Sequence, residues 1–416
     1  MQDDVPPAPS PTRGRYIPVG RRELVAKLAD ELPEAETREA FDALARRLSL
    51  LFHIEFFETR ETLKDLYIRF NPDRPGDTPL PADPEARRTF LETLEEAIFA
   101  ANFRQLGAEE VRPESDAAGR VSAEVRVSPD GFDILRFYAR GRRKRMITVR
   151  TLFGLKQEEV DAPVFDHVIL VAALSPDAVF RRTSHRRLRP GAVYLKLFRN
   201  IPQADLRTLN PTARVVMSLR DKLILGVPAI AGGVPILLNI VPAVSVLLVV
   251  VGAYLGISGT VEDDAVKKAL AALSGLGALI GFLARQWMKY ERQKLRYQKQ
   301  VAENAYFNNV TNNAGFFDML IGASEDSEVK EALLAYALLR RSGRPMTRDE
   351  LGAHVETWIR ARFDADVDFE IDDALDKLQR LQLVQPSGES LSALPLQGAL
   401  EATERAWTGL AQEVLD

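Results

Sequence analysis

Two long runs without charged side chains interrupt an otherwise mixed pattern of apolar and polar positions. The first run covers 39 residues at positions 223–261, and the second covers 16 residues at positions 269–284. A helix needs about 20 apolar residues to cross a bilayer core of roughly 30 Å. The runs therefore predict a transmembrane hairpin at residues 222–288, with spans at about 225–257 and 266–287.

The apolar runs could also fold in two other ways. The two helices could instead be buried in a large core, although cores seldom contain so long a stretch without a charged edge. The first run could also form two short spans, but that topology would put one basic flank on the wrong side of the membrane. Three prolines, Pro228, Pro235 and Pro242, favour a kinked entry into a single span.

Basic residues flank both ends of the predicted hairpin, whereas its connecting loop carries Glu262, Asp263 and Asp264. The flanking residues are Arg207, Arg214, Arg220 and Lys222 before the first span and Arg285, Lys289, Arg292, Lys294, Arg296 and Lys299 after the second. Basic flanks stay on the cytoplasmic side of a membrane. We therefore expect an integral protein of a prokaryotic inner membrane with both termini in the cytoplasm.

The chain before the hairpin changes from helical to strand periodicity. Residues 1–15 are rich in proline and predict a disordered tail, and apolar residues then recur at helical spacing to about position 105. Asp83 before Pro84 is a typical helix start. Strand patterns follow at 121–127, 134–138, 146–152, 167–173 and 193–198. Helices followed by strands predict a cytosolic α+β domain with a mostly antiparallel sheet at residues 16–221.

The chain after the hairpin is predicted to be helical. Residues 289–324 form a juxtamembrane helix and connector, in which asparagines near position 310 either build a buried amide network or cap the helix end. In residues 325–416, Gly343 closes one helix, and Thr347 with Glu350 opens the next as a capping box. The pattern of three helices, a short hairpin and a final helix predicts a winged-helix-like domain, which by itself does not imply DNA binding.

Composition narrows the classes of function. The formal net charge is −4, so the whole chain has no bulk attraction for nucleic acid. The absence of cysteine excludes disulfides and thiolate metal sites, and none of the four histidines is spaced as in HExxH. The chain also lacks the phosphate-loop pattern GxxxxGK[ST] and the nucleophile pattern GxSxG. We therefore predict no catalytic residues, no metal and no cofactor.

Two clusters of basic residues punctuate the predicted sheet. They are Arg142, Arg143, Lys144 and Arg145 at an expected hairpin tip, and Arg181, Arg182, Arg186, Arg187 and Arg189 in a loop. Beside a membrane, such clusters bind anionic lipid headgroups at about 1 kcal/mol per basic residue. A solvated loop is an equally good interpretation.

Pairs of small residues lie within the apolar runs. They are Gly252 with Gly256, Ala271 with Gly275, and Gly277 with Gly281. Spaced four apart, such residues let helix backbones approach closely, either inside the hairpin or between protomers. The alternative is that glycine is simply common in membrane helices.

Three motifs occur in the order of a known family. They are LKLFRNIPQADLRTLNP, YFNNVTNNAG and KEALLAYALL, separated by the hairpin. The chain resembles, over residues 16–341, a family of uncharacterised membrane proteins called domain of unknown function 3754, which includes transmembrane protein 143 of mitochondria. The matching residues are Asn200, Ile201, Pro202, Asp205, Leu206, Asn308, Asn312, Asn313 and Gly315. The resemblance implies a two-span membrane protein and carries over no activity.

The leading hypothesis for function is a membrane-anchored, non-enzymatic scaffold or adaptor that binds a protein partner or itself. An oligomeric pore or transport component is the alternative, and an enzyme ranks third. Nucleic acid is not an expected partner, because the third helix of the winged-helix-like domain and the segment before it are rich in aspartate. A helix that enters the major groove needs basic residues to meet phosphates.

Overall fold

A computed structural model describes residues 14–32, 37–75, 83–111, 124–126, 131–151, 156–178, 188–216, 248, 250–252, 255 and 263–415. The chain divides into two compact units. The first unit comprises Met1–Glu114, Pro129–Leu206 and Asn308–Asp416, and the second comprises Ser115–Ser128 and Arg207–Phe307.

The helices begin and end where local capping residues place them. Their bounds are α1 Arg21–Ala29, α2 Arg38–Tyr67, α3 Pro84–Ala100, α4 Ala108–Val111, α5 Asp263–Asn308, α6 Phe316–Ser342, α7 Arg348–Phe363, α8 Ile371–Arg380 and α9 Leu396–Leu415. Asp83 caps α3 by accepting a 3.0 Å hydrogen bond from the Ala86 amide, with Pro84 as the first helical residue. The predicted capping box at α7 is confirmed, since Thr347 and Glu350 bond each other's backbone amides.

The strands form an antiparallel sheet and two small pairs. Their bounds are β1 Arg104–Gln105, β2 Glu124–Arg126, β3 Phe132–Thr151, β4 Lys156–Leu174, β5 Val193–Pro202, β6 Arg214–Val216, β7 Asn309–Asn312, β8 Val384–Ser387 and β9 Ser390–Ala393. The sheet of the first unit has the order β1-β3-β4-β5-β7, and each neighbouring pair is antiparallel. Helices beside an antiparallel sheet make this unit α+β, as the pattern of elements predicts.

Helix α6 is the central element of the first unit. Its first turns, from Phe316 to Ile321, join an apolar cluster with α2, α3 and the sheet. Its later turns, from Val329 to Leu339, join a second cluster with α1, α2, α7, α8 and α9. The buried polar residues of the helix lie between the two clusters and at the start of the second, namely Ser324, Ser327, Glu328, Lys330 and Glu331. Polar groups so deeply buried need hydrogen-bond or ion-pair partners, and the side chains around this segment must supply them.

The elements after α6 follow the predicted order of two further helices, a hairpin and a final helix. Gly343 ends α6 with a left-handed φ of 66°, a conformation that glycine adopts without strain. Strands β8 and β9 pair in a short hairpin. These elements share one apolar core with α1 and α2, so they are packed with the N-terminal helices of the chain.

The second unit contains the antiparallel pair β2–β6 and nearly all of α5. Among the described residues, none of the helices combines the length and the apolar character that crossing a bilayer requires. The uncharged run within α5 spans 16 residues, which is about 24 Å of helix against a bilayer core of roughly 30 Å. The predicted first span, 225–257, lies almost entirely outside the described residues.

This finding corrects the fold class predicted from the sequence. The membrane-protein class, the two-helix transmembrane hairpin and the inner-membrane localisation are contradicted and are not retained. The long uncharged runs suggested them, but the described helix that contains the second run remains too short in its apolar part.

Two further predictions about local structure are wrong. The basic residues 142–145 do not form a hairpin tip, because β3 continues through them to Thr151, and each pairs with a residue of β4. Of the two alternatives for the asparagines near position 310, the helix cap is not observed, whereas Asn313 is buried and hydrogen-bonded to Asp73 and to the Leu195 backbone. Asn309–Asn312 forms the edge strand β7 beside β5, so pairing with a distant strand overrides the local helical pattern.

Candidate functional site

A polar cavity of about 630 Å³ lies in the first unit, and we call it the Arg140 cavity. Five segments line it: the N-terminal residues 14–18, the end of α3 with β1, the middle of β3, the start of the apolar part of β4, and the loop 363–368. Its arginines are Arg15, Arg104, Arg140, Arg142 and Arg143, and its acids are Asp166, Asp364, Asp366 and Asp368. The lining is therefore charged with both signs.

The guanidinium of Arg140 is held between two aromatic rings. It lies 4.5 Å from the ring centre of Tyr16 and 4.6 Å from that of Phe103, and it donates a 2.8 Å hydrogen bond to the Ala101 carbonyl. Burial lowers the pKa of Arg140. Its buried Nε has no acceptor among the described residues. The two rings and the Ala101 carbonyl thus fix the guanidinium in place, and its Nε–H remains able to donate a hydrogen bond to another group.

Asp166 is the buried acid of the cavity, with 5% of its surface exposed. Its Oδ1 accepts a 2.8 Å hydrogen bond from Arg143 Nε and a second one from Nη2 of the same arginine. Its Oδ2 finds no donor in the part of the chain that the structure describes. A buried carboxylate oxygen without a partner is costly, so this atom is a second group available to a ligand.

Gly141 makes room for this carboxylate. It lies between the strand pairs Arg140–His167 and Arg142–Phe165, opposite Asp166, and has a left-handed φ of 68°. A Cβ atom at position 141 would come within 2.8 Å of the Cβ and Cγ of Asp166. Both the backbone conformation and the close approach therefore require glycine.

A second cavity of about 360 Å³ shares Arg140 and Phe103 with the first. His167 lines it and packs its ring edge against Tyr16, with ring centres 6.0 Å apart. Burial, together with the nearby Arg140 and Arg143, lowers the pKa of His167 to about 4. The imidazole is therefore neutral at physiological pH and packs against the Tyr16 ring.

Asn102 connects the Arg140 cavity to the polar segment of α6. Its side-chain amide donates a 2.6 Å hydrogen bond to Glu331. Glu331 is buried, and burial raises its pKa to about 8. At neutral pH this carboxyl is thus largely protonated.

Glu331 belongs to a buried charge cluster with Glu328, Asp373 and Lys377. One oxygen from each of the three carboxyl groups lies within 4.8 Å of the others, which is the arrangement in the described residues that comes nearest to a metal site. The Lys377 ammonium, however, contacts Glu328 and Asp373 directly and lies 3.8 Å from Glu331. Because this side chain already occupies the place of a cation, the four residues do not fit a divalent ion in addition.

The predicted lipid-binding residues are engaged with their own chain where the structure describes them. Arg143 pairs with Asp166, and Arg145 donates a 3.0 Å hydrogen bond to Asn200. Arg142 donates to Gln203, and Arg189 donates to backbone carbonyls of residues 72 and 74. Lys144 is exposed. Arg181, Arg182, Arg186 and Arg187 lie outside the described residues, and lipid binding by these clusters stays a prediction.

The predicted helix-packing residues lie mostly on α5. Ala271, Gly275, Gly277 and Gly281 are in this helix, Gly252 has helical backbone, and Gly256 lies outside the described residues. A Cβ at Gly277 or Gly281 would meet open space. Close helix packing through these residues stays a prediction.

The residues of the family motifs lie at the ends of elements. Asn200, Ile201 and Pro202 end β5, Asp205 and Leu206 lie in the 3-10 segment Gln203–Leu209, Asn308 ends α5, Asn312 ends β7, and Asn313 and Gly315 form a 3-10 turn. Asn313 has the clearest role. Its amide donates to Asp73 at 2.8 Å, and its carbonyl oxygen accepts from the Leu195 backbone at 3.3 Å.

Of the residues that build the cavity, sequence reasoning singled out Arg142 and Arg143, but as candidates for lipid binding. Tyr16, Asn102, Arg140, Gly141 and Asp166 come from three distant parts of the chain. One signal was present: Asp166 and His167 directly precede an apolar run within β4, and Glu331 directly precedes an apolar run within α6.

A family model described as a protein of unknown function, DUF3754, matches residues 165–315 of the chain. This segment includes Asp166 and His167 but neither Arg140 nor the charge cluster of α6 and α8. The match supports a relation to an uncharacterised family over that segment and extends to no activity. No solved structure matches the chain.

Proposed function

We propose that the protein is a non-enzymatic scaffold or adaptor whose C-terminal helices bind a protein partner and not nucleic acid. The observation that carries the proposal is the position of α8, the third helix of the winged-helix-like pattern. In a protein that reads DNA, this helix presents basic side chains to the phosphates of the major groove. Here one of its basic side chains, Lys377, is largely buried, and the other, Arg380, is paired with a glutamate of α2.

Lys377 and Arg380 are the basic residues of α8, and both are used in contacts within the unit. Lys377 contacts Glu328 and Asp373 in the buried charge cluster. Arg380 forms a two-pronged pair with Glu55 of α2, at 2.6 and 2.9 Å. Lys377 is therefore largely withdrawn from solvent, and the charge of the exposed Arg380 is offset by Glu55.

The outward face of α8 and the segment before it are acidic. Asp364, Asp366, Asp368, Asp372 and Asp376 are exposed. Arg360 and Arg348 offset part of this charge through pairs with Asp366 and Asp372, both at 2.5 Å. On α8 itself, Asp372 and Asp376 oppose the phosphate backbone of a duplex, and the face suits a partner surface rich in lysine and arginine.

Two measurements on the full chain test the proposal. We expect no salt-sensitive binding to random duplex DNA in a fluorescence anisotropy titration at low salt. We also expect a photo-reactive amino acid at Asp376 to cross-link in cells to a discrete protein whose capture is lost when Asp372 and Asp376 are replaced by asparagine. The same group at exposed Glu401 on α9 is the matched control. DNA binding that weakens with salt, or equal cross-linking from both positions, would contradict the proposal.

A further inference from the structure

The Arg140 cavity carries an inference that is independent of the proposed scaffold function. We propose that it binds a small phosphate monoester that carries a flat ring and hydroxyl groups, the chemistry of a nucleoside monophosphate. The size of the cavity permits this, because its volume of about 630 Å³ falls within the range typical of small-molecule sites.

The phosphate is assigned from the arginines. Three arginines of β3 line the cavity, namely Arg140, Arg142 and Arg143. The Nε of Arg140 is a buried donor without an acceptor among the described residues. A guanidinium held between two rings keeps its orientation, so an anion that it binds meets a donor already in place.

The hydroxyl groups are assigned from Asp166. This side chain is more than nine-tenths buried, and its Oδ2 lacks a donor in the described part of the chain. Arg143 neutralises the carboxylate through Oδ1, so the second oxygen can accept a hydrogen bond without leaving a charge unpaired. A ribose hydroxyl is a donor that suits this acceptor, whereas a second phosphate would be repelled by it.

The flat ring is assigned from Phe99. Its side chain lines the cavity and is 47% exposed, although large apolar rings are usually covered. The contact with Tyr138 is nearly perpendicular, at 71°, which leaves a face of the Phe99 ring open. Exposed aromatic rings serve as stacking platforms for bases in proteins that bind single-stranded nucleic acid.

Isothermal titration of the full chain tests the assignment with adenosine monophosphate as the probe. Inorganic phosphate, adenosine and the 2′,3′-dideoxy monophosphate separate the contributions of phosphate, ring and hydroxyls. We expect the complete nucleotide to bind more tightly than any of the three, and its affinity to fall with added salt because the phosphate contact is electrostatic.

Variants locate the binding. Phe99→Ala should weaken binding about tenfold through the lost stacking, and Arg142→Gln should weaken it several-fold through a lost charge-assisted contact. The matched controls are Phe57→Ala, whose ring is 48% exposed on α2, and Arg46→Gln, an exposed arginine of the same helix. Both controls should bind like the unmodified protein. The absence of binding at millimolar nucleotide, equal binding of adenosine, or equal losses in the control variants would overturn the proposal.

Discussion

The side-chain amide of Asn102 donates a 2.6 Å hydrogen bond to the carboxyl of Glu331. Asn102 follows the end of α3 with a left-handed φ of 59°, which asparagine tolerates better than most residues. This backbone turn brings a residue of the Arg140 cavity into contact with the polar segment of α6. The two polar regions of the first unit are therefore joined by one hydrogen bond.

The first prediction concerns Glu331 and pH. Burial raises its pKa from an ordinary value of 4.5 to about 8, so the folded state holds a proton that the unfolded state has lost. This contribution to stability is complete below about pH 4.5 and is lost as the pH rises through about 8. We expect Glu331→Gln to remove it, so that the free energy of unfolding of the variant falls less across this window.

Urea unfolding at pH values across this window measures the difference. Each pKa unit corresponds to about 1.36 kcal/mol, so the two pH profiles should diverge by a few kcal/mol. Glu401→Gln, at an exposed position of α9, is the control and should follow the unmodified protein. Parallel profiles for Glu331→Gln would show that the carboxyl is ionised throughout.

Features in which a residue acts on its near neighbours could be predicted from the sequence, whereas the long-range contacts that build the Arg140 cavity could not. The capping residues Asp83 and Thr347 act on amides three residues away, so their patterns are visible locally. The continuity of β3 depends on pairing with β4, and the pair Arg143–Asp166 joins positions 23 residues apart. A single sequence shows neither this register nor the approach of Asn102 to Glu331, which lie 229 residues apart.

The membrane prediction failed for a different reason. It relied on the length of uncharged runs, and the run within α5 has 16 residues where about 20 are needed. When an uncharged run is this short, the absence of charge does not distinguish a helix packed within a protein from one that crosses a bilayer.

The second prediction concerns Gly141. Alanine at this position should destabilise the first unit strongly, because a side chain there is strained by the left-handed backbone and also overlaps Asp166. Gly343→Ala is a matched control, since Gly343 has a similar φ of 66° but open space around a Cβ. We expect Gly343→Ala to cost about 1 kcal/mol and Gly141→Ala clearly more, as measured by chemical unfolding. Equal losses would mean that the carboxylate moves away without cost.

The third prediction concerns acid stability. Burial, with Arg140 and Arg143 nearby, lowers the pKa of His167 to about 4. A lowered pKa means that the neutral ring stabilises the fold above the unfolded pKa of about 6.5 and that this contribution is lost as the pH falls through about 4. His167→Gln should therefore lose less stability than the unmodified protein between these values.

Thermal unfolding at pH values from about 7 to 4 compares the variants, over the window between the two pKa values. His53→Gln is the control, because the side chain of His53 is 53% exposed on α2. If His167→Gln and His53→Gln showed the same acid profile, the buried imidazole would not be the group that titrates.

The last prediction concerns the buried charge cluster. Lys377 contacts Glu328 and Asp373 and lies near Glu331, and its side chain is 12% exposed. Replacement by methionine keeps most of the volume but leaves buried carboxylates without their cation, which costs about 3–5 kcal/mol in comparable pairs. Burial lowers the pKa of Lys377 to about 7, so we expect Lys377→Met to be destabilised by that amount below this pH, where the lysine is charged, and by less above it.

A double-mutant cycle separates the charge effect from packing. Adding Glu328→Gln to Lys377→Met removes one of the uncompensated charges, so the double variant should recover part of the loss and the coupling free energy should exceed about 1 kcal/mol. Arg380→Met is the matched control on the same helix, since its partner Glu55 is 45% exposed and exposed pairs contribute about 1 kcal/mol or less. Purely additive losses for Lys377→Met and Glu328→Gln would mean that the lysine stabilises α8 through its methylene chain and not through its charge.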